Sequence, residues 1–435
     1  MIAMEMMSAV RPLETFVPPR AAGQCDVLSL ALPPMPLLHV AFVGVGARGR
    51  MAVTRWCHIP KVEIVAVCDV SKEVAEEVAR HVEQLGKPRP KVYWGETAYK
   101  DLCQQQGVNL VYVCTDWMSH VPIAIHAMEL GKSVAVEVPA ALTLKDIWKL
   151  IDTAEQTRQH CMMLENAVYD RFEMAVCQMV HEGLLGELVH VEGGYAHPIG
   201  DRWTPWRMEY SRQNAGDVYP THSIGPICRL LDIHRTDRMH YLTAMQTNAF
   251  LGTEMYQVVM GKACDSFANG DQTSTMIRTV KGKTMLIQHN VMTPRPYSRM
   301  FQAVGTAGYA AKYPVPEVQL SPEMVAKVGI EMEDNKLPLN ASQIETLLNH
   351  YAPSFPSETI ALAKELDARG GMSYFMDLRL AQCLQQGLPL DMDVYDLAEW
   401  CCIAELSKRS IEQGSMPVMI PDFVNRKASV DTESI

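Results

Sequence analysis

The sequence predicts an α/β fold: a doubly wound parallel sheet, followed by an α+β domain with a largely antiparallel, open-faced sheet. Two observations predict the first part. Apolar runs of strand length alternate with helical patterns over residues 36–164, and the first run ends in a cluster of glycines. Nearly all-apolar strands separated by helices are covered on both faces, as in a parallel sheet. A third observation predicts the second part. Beyond about residue 165 the alternation gives way to a hairpin pattern and then to helices.

The elements follow in order. Leu38–Gly44, Val62–Cys68, Val108–Cys114 and Ser133–Glu137 are the strand runs. Ala47–Cys57, Ser71–Leu85, His120–Leu130 and Leu142–Thr157 carry helical spacing between and after them. Leu188–Tyr195 reads as a strand. Thr275–Thr279 and Thr284–His289 flank Val280-Lys281-Gly282-Lys283 and read as a hairpin. Ala303–Tyr309 extends that sheet. Helical patterns follow near 341–350, 356–368, 373–386 and 395–412. The expected division is a leader at 1–35, a first domain at 36–164, a second at 165–425 and a polar tail at 426–435.

Composition excludes several classes. The 50 acidic residues outnumber the 39 basic ones, for a net charge of -11. With no basic run, nothing offsets phosphate repulsion, so neither nucleic acid nor an anionic membrane is an expected partner. No stretch of about 18 apolar residues is present, so no membrane-spanning helix is expected. The twelve cysteines include no C-x-x-C pair and read as free thiols. Met1–Pro34 lacks the basic start and unbroken apolar core of a secretion signal, so a non-globular or surface-wrapping leader and a cytoplasmic location are expected, with export by another route left open. Asp391, Asp393 and Asp396 lie together but without His or Cys in ligand spacing. They read as a loop and helix cap, and no metal is expected.

Gly44-Val45-Gly46-Ala47-Arg48-Gly49 is G-x-G-x-x-G between a strand and a helix. Gly44 permits the tight turn, Gly46 lets the backbone approach a pyrophosphate, and Gly49 lets helix and strand pack closely. The helix N-terminus offers free N–H groups to the anion. Asp69, 20 residues past Gly49, suits the ribose hydroxyls and repels a 2′-phosphate. The expectation is a Rossmann domain that binds NAD rather than NADP.

Thr115-Asp116-Trp117-Met118-Ser119-His120 and Glu137-Val138-Pro139 then add a resemblance. They are similar to segments of the sugar-oxidoreductase superfamily typified by glucose–fructose oxidoreductase and inositol dehydrogenase. That resemblance implies that Thr115, Trp117, His120 and Glu137 join Gly44, Gly46, Ala47, Arg48, Gly49 and Asp69 around the cofactor. In that superfamily an E-K-P lysine shuttles the proton of the oxidised hydroxyl. Here the position is Val138, which carries no proton.

Tyr219-Pro220-Thr221-His222 places a phenol and an imidazole three residues apart, with a helix expected to start near Pro220. Imidazole titrates nearest neutrality and suits proton transfer. Together with Glu165-Asn166-xx-Tyr169, Arg295-Pro296-Tyr297-Ser298-Arg299, Gly387-Leu388-Pro389 and Ile420-Pro421-Asp422-Phe423, this segment resembles glycoside hydrolase family 109, the NAD-dependent α-N-acetylgalactosaminidases. The likeness covers about residues 36–425.

The resemblance implies hydrolysis through oxidation of the sugar at C3, loss of the C2 proton with elimination, addition of water and re-reduction. It implies Tyr169, Tyr219 and His222 as catalytic residues. Glu137 and Tyr297 would line the sugar pocket, and His197, Arg202 and Trp206 lie in a loop that would contact the substrate. A glycoside is the expected substrate and a homo-oligomer the expected assembly. A sugar dehydrogenase releasing NADH is the alternative, and a non-catalytic dinucleotide sensor a further one. N-acetylglucosamine and β-linked glycosides also stay open.

Overall fold

A computed structural model describes residues 11–331 and 337–426. The first ten residues of the expected leader and most of the polar tail lie outside the described residues. The chain begins its regular structure with β1 (Leu38–Val43), α1 (Ala47–Cys57), β2 (Val62–Asp69), α2 (Lys72–Gln84), β3 (Lys91–Trp94) and α3 (Tyr99–Gln104). It continues with β4 (Leu110–Val113), α4 (His120–Glu129), β5 (Ser133–Val136), α5 (Leu144–Thr157) and β6 (Cys161–Met163). These six strands pair in parallel in the order β3-β2-β1-β4-β5-β6.

The sequence reading misses β3 and β6, and each for a physical reason. Strand β3 is an edge strand whose four residues are exposed or half-buried, so no apolar run marks it. Strand β6 has only three residues. Strands β1, β4 and β5, in the middle, are almost wholly buried. The order reverses direction at β1, between β2 and β4. The loops after β1 and β4 therefore diverge and leave a crevice at the carboxyl ends of the strands.

A short 3-10 turn, Asn166–Tyr169, and α6 (Arg171–His181) lead into the second sheet. Its elements are β7 (Leu188–Ala196), α7 (Pro205–Gln213), α8 (Thr221–Leu231), β8 (Met239–Gln246), α9 (Gly252–Met260), β9 (Thr273–Thr279) and β10 (Thr284–Asn290). Strands β11 (Gln302–Gly305), β12 (Gly308–Ala311) and β13 (Glu317–Leu320) precede α10 (Pro322–Lys327) and α11 (Ala341–Tyr351). Helices α12 (Ser357–Leu366), α13 (Met372–Gln386) and α14 (Val394–Glu412) and strand β14 (Val418–Met419) complete it.

The eight strands run in the order β13-β12-β11-β7-β10-β9-β8-β14. Every neighbouring pair is antiparallel except β7 with β10. The expected hairpin is β9–β10, and the stretch Ala303–Tyr309 folds back on itself as β11 and β12. Alternation sorts the two faces. Ile277, Met285, Ile287 and Val191 are buried beneath helices, whereas Met276, Leu286 and Glu192, paired across the strands, lie on the open face. Helix α8 packs on β7 and α14 on β8, and their apolar faces join the Rossmann core in one cluster.

Residues 11–34 run along the surface with little regular structure. The Leu13 and Met419 backbones bond to each other's segments, as Leu13 N donates to the Pro417 oxygen and Met419 N to the Leu13 oxygen. Arg20, Gln24, Tyr395 and Arg426 all donate to the fully buried carboxylate of Glu155 on α5. Asp393 caps α14 by accepting from the Tyr395 and Asp396 amides. Asp396 also pairs with Arg235. Among the described residues no helix is long and apolar enough to cross a membrane.

Candidate active site

The crevice at the carboxyl ends of β1, β4 and β5 opens into a cavity of about 920 Å³. Gly44 has φ of +81°, and a Cβ there would meet the Cys114 carbonyl carbon at 2.7 Å. A Cβ on Gly49 would lie 2.1 Å from the Gly44 oxygen. Gly46 is different: nothing lies within 4 Å of its would-be Cβ, and it caps α1 without any side-chain bond. The turn thus presents bare backbone and free helix N–H groups to the cavity, a cradle for a pyrophosphate. Asp69 sits at the rim, where its carboxylate accepts from Val45 N at 2.9 Å and Ser71 N at 3.1 Å. These features fit a dinucleotide.

The other residues expected near the cofactor follow the same wall. Gly44, Gly46, Ala47, Arg48, Asp69, Thr115, Trp117, His120 and Glu137 line the cavity, whereas Gly49 lies behind it as a packing contact. His120 is buried, with Nδ1 2.9 Å from the Pro139 oxygen and Nε2 3.1 Å from the Thr115 oxygen. It ties the loop after β4 to the loop after β5. Arg48 grips Glu137 at 2.8 Å through Nε and 3.3 Å through an η-nitrogen. Burial alone would raise the Glu137 carboxyl, but the guanidinium overrides it and holds the group below its ordinary value. Glu137 is therefore a fixed anion in the cavity wall. Val138, buried beside it, adds an apolar side chain to the same wall.

The second domain supplies the opposite wall. Pro220 is the N-cap of α8, so His222 lies in the first helical turn. Its Nδ1 is 2.6 Å from Oε1 of Glu165, a carboxylate with no exposed surface. That bond places the proton on Nδ1 and leaves Nε2 as an acceptor. The Tyr219 hydroxyl, 3.4 Å from Nε2, completes a line from Glu165 through His222 to the cavity. Burial raises the Tyr219 phenol well above its ordinary value, so it works as a neutral hydroxyl. Trp117 stacks on Tyr219 with ring centroids 5.6 Å apart.

Sequence reasoning misses three residues of this wall. Tyr195, at the end of β7, lies 5.3 Å from the Tyr219 ring and 5.0 Å from the His222 ring. Arg207, on α7, lies over the Trp117 and Trp206 rings at 5.2 and 5.3 Å. Its Nε is buried and unpartnered. Arg369, just before α13, lines the same cavity. Strand alternation carries the only signal for Tyr195, and nothing local marks the two arginines. In the sequence Glu165 stands out only as part of a motif, because its partner is 57 residues away.

Of the loop expected to contact substrate, Arg202 and Trp206 line the main cavity. His197 lines an adjoining side chamber together with Tyr297 and Arg202. Tyr297 accepts a bond from Arg299 at 2.9 Å. Tyr169 is a correction. It does not line the cavity: its hydroxyl donates to Asp391, in the loop between α13 and α14, at 3.1 Å. Burial, then the Asp391 charge, push its phenol well above the ordinary value. Glu165 caps the 3-10 turn and bonds to His222, whereas Tyr169, at the other end of the turn, bonds to Asp391; Tyr195, not Tyr169, lines the cavity.

Comparison with known proteins matches this division of labour. Residues 38–165 match the oxidoreductase family with an NAD-binding Rossmann fold, and residues 200–429 match the glycosyl hydrolase 109 C-terminal domain. Glycosyl hydrolase family 109 protein 1 of Bacteroides thetaiotaomicron is 50% identical over 421 residues, covering 95% of this chain and 90% of its own. A glycosyl hydrolase family 109 protein of Porphyromonas gingivalis is 48% identical over 430 residues, covering 97% and 92%. Among solved structures, myo-inositol dehydrogenase of Lactobacillus casei, in complex with NAD(H) and myo-inositol, aligns at a TM-score of 0.61. It shares 17% identity and covers 89% of this chain and 100% of its own. An NAD binding oxidoreductase of Klebsiella pneumoniae aligns at 0.67 with 15% identity, covering 89% and 100%. These two structures share the fold. A matching NAD-binding domain followed by a matching C-terminal domain, with relatives about half identical over nearly their whole length, places this chain in glycosyl hydrolase family 109.

Proposed function

We propose that the protein hydrolyses terminal α-linked N-acetylgalactosamine through transient oxidation at C3 of the sugar. The observation that carries this reading is the Glu165–His222–Tyr219 line, which ends in the cavity that also contains the dinucleotide cradle. The turn at 44–49, with Asp69 at its rim, is where NAD would be held. NAD, when bound, supplies a hydride acceptor for C3 and later returns the hydride.

The chain's own residues move the protons. His222 Nε2 takes the C3 hydroxyl proton, directly or through the Tyr219 hydroxyl, and Glu165 stabilises the resulting imidazolium. A ketone at C3 acidifies the C2 proton, which allows the aglycone to leave C1 by elimination. Tyr195, beside both His222 and Tyr219, stands where it can exchange a proton at C2 or at the leaving oxygen. Water then adds at C1 and the same groups return their protons. The usual pair of carboxylates is not required for this route. The apolar Val138 favours it over a sugar dehydrogenase, which relies on a lysine at that position.

The test is release of p-nitrophenol from the α-linked N-acetylgalactosamine derivative in heavy water. The expected product sugar carries deuterium at C2, without net NADH. Turnover with no deuterium at C2 defeats the elimination route. Absence of turnover, with NADH accumulating on free sugars, defeats the glycosidase reading in favour of a dehydrogenase.

A further inference from the structure

Charge at the mouth of the cavity does not balance. Arg202, after β7, and Arg369, before α13, line both the main cavity and the side chamber of about 400 Å³. To the described residues the Arg202 side chain makes only long bonds, at 3.4 Å, to the Ile199 oxygen and to His197. Among the described residues neither arginine has a carboxylate within ion-pair distance. Nearby cations are different. Arg48 is paired with Glu137, and Arg299 and Lys312 share Asp170. Glu173 backs Arg299, and burial pushes its carboxyl up to about 7 despite that neighbour.

Among the described residues the chamber is lined by four cations, Arg202, Arg299, Lys312 and Arg369, against one carboxylate, Asp170. This occurs in a chain with a net charge of -11, so it does not follow from a basic surface. It is also close to the proposed chemistry. Two ring spacings, 5.0 Å from His222 to Tyr195 and 4.8 Å from Tyr195 to His197, lead from the acid–base pair to the chamber wall. His197 and Tyr297 stand there 5.6 Å apart. Guanidinium groups present paired N–H donors that suit anionic oxygens.

We infer that the chamber binds an anionic oxygen group, a sulfate, phosphate or carboxylate, carried by the glycoside beside the sugar under His222 and Tyr219. This rests on the glycosidase reading and adds to it the class of substrate. The anion has two possible sources: a substituent on the sugar's own primary hydroxyl, or an acidic group on the aglycone.

Three α-linked N-acetylgalactosamine glycosides separate them: p-nitrophenyl, its 6-sulfated form, and one with a carboxylated nitrophenol. They are compared by kcat/KM in the native protein and in Arg369→Gln, Arg202→Gln and the double variant. The expected result is that one anionic glycoside exceeds the neutral one by at least tenfold, and that the ratio falls towards one in the variants. The preferred glycoside identifies the source. No preference in the native protein, or a preference the variants leave intact, overturns the inference. So does loss of bound NAD in Arg369→Gln, which would assign that arginine to the dinucleotide. If no glycoside turns over, the glycosidase reading fails, and inorganic sulfate still decides on the chamber through the fluorescence of Trp203 and Trp206. Saturable quenching that is lost in the double variant supports an anion site, and its absence in the native protein overturns it.

Discussion

Glu165 has no exposed surface and would be costly to bury were it not holding a histidine. One oxygen accepts from His222 Nδ1 and from the Ala167 amide, while the other is unpartnered. A carboxylate in this position sets the tautomer of the ring and stabilises its charged form. Glu165→Gln keeps an acceptor but removes the charge. The expected kcat falls roughly tenfold, with a shift in its pH profile, and NAD stays bound. Glu165→Leu removes the acceptor too, and the expected loss is about a hundredfold or more. A kcat unchanged in Glu165→Leu would show that His222 needs no partner. The pairing also shows what residue-level reading misses. Tyr219 and His222 are three positions apart and legible as a pair, but Glu165 and Tyr195 reach them only through the fold. Tyr169, on the same short turn as Glu165, turns instead towards Asp391.

At the scale of elements, the dinucleotide half is legible because its chemistry is local. One strand, one turn and one helix hold the cradle, and Gly44 and Gly49 each answer to a contact within that unit or just after its neighbour β4. Gly49 is the sharpest case: a methyl group there would lie 2.1 Å from the Gly44 oxygen. Gly49→Ala is expected to push α1 off β1 and strip the protein of NAD. The check is the nucleotide released on denaturation, which should fall to a few per cent of the native content; full retention would contradict the packing role. The sugar half is less legible because its wall is assembled from the end of β7, from α7, from the start of α8 and from the loop before α13. No periodicity connects such pieces. Edge strands escape for a related reason: β3, half-exposed, lacks the apolar run that marks β1 and β4.

The whole molecule should also have a defined pH response. Burial pushes the carboxyls of Asp217 and Glu173 up to about 7 and that of Glu399 to about 8, with Arg299 opposing the shift at Glu173 and His234 at Glu399. From roughly pH 4 upwards the unfolded chain has lost these protons while the folded one keeps them, so stability falls as pH rises through 7 to 8. His160 and His289, pushed down by burial to about 4, act in the opposite direction. Unfolded histidines bind protons below roughly pH 6.5, so stability from these two rises up to that point and then levels. Above it the carboxyls decide. The melting temperature is expected to fall between pH 6.5 and 8.0, and less steeply in Asp217→Asn. A melting temperature that rises over that interval would refute the assignment.

The buried carboxylate of Glu155 acts on the same scale. Arg20 and Arg426, more than 400 residues apart in sequence, both close on it, with α5 as their shared post. Ordering so long a loop carries an entropic cost that grows only slowly with its length. Two guanidinium groups on a single buried anion are well suited to offset it. The molecule is in effect a necklace with a non-covalent clasp: Arg20 also donates to the Val424 oxygen at 2.8 Å, so opening one flank strips a bond from the other, and the two are expected to come loose together.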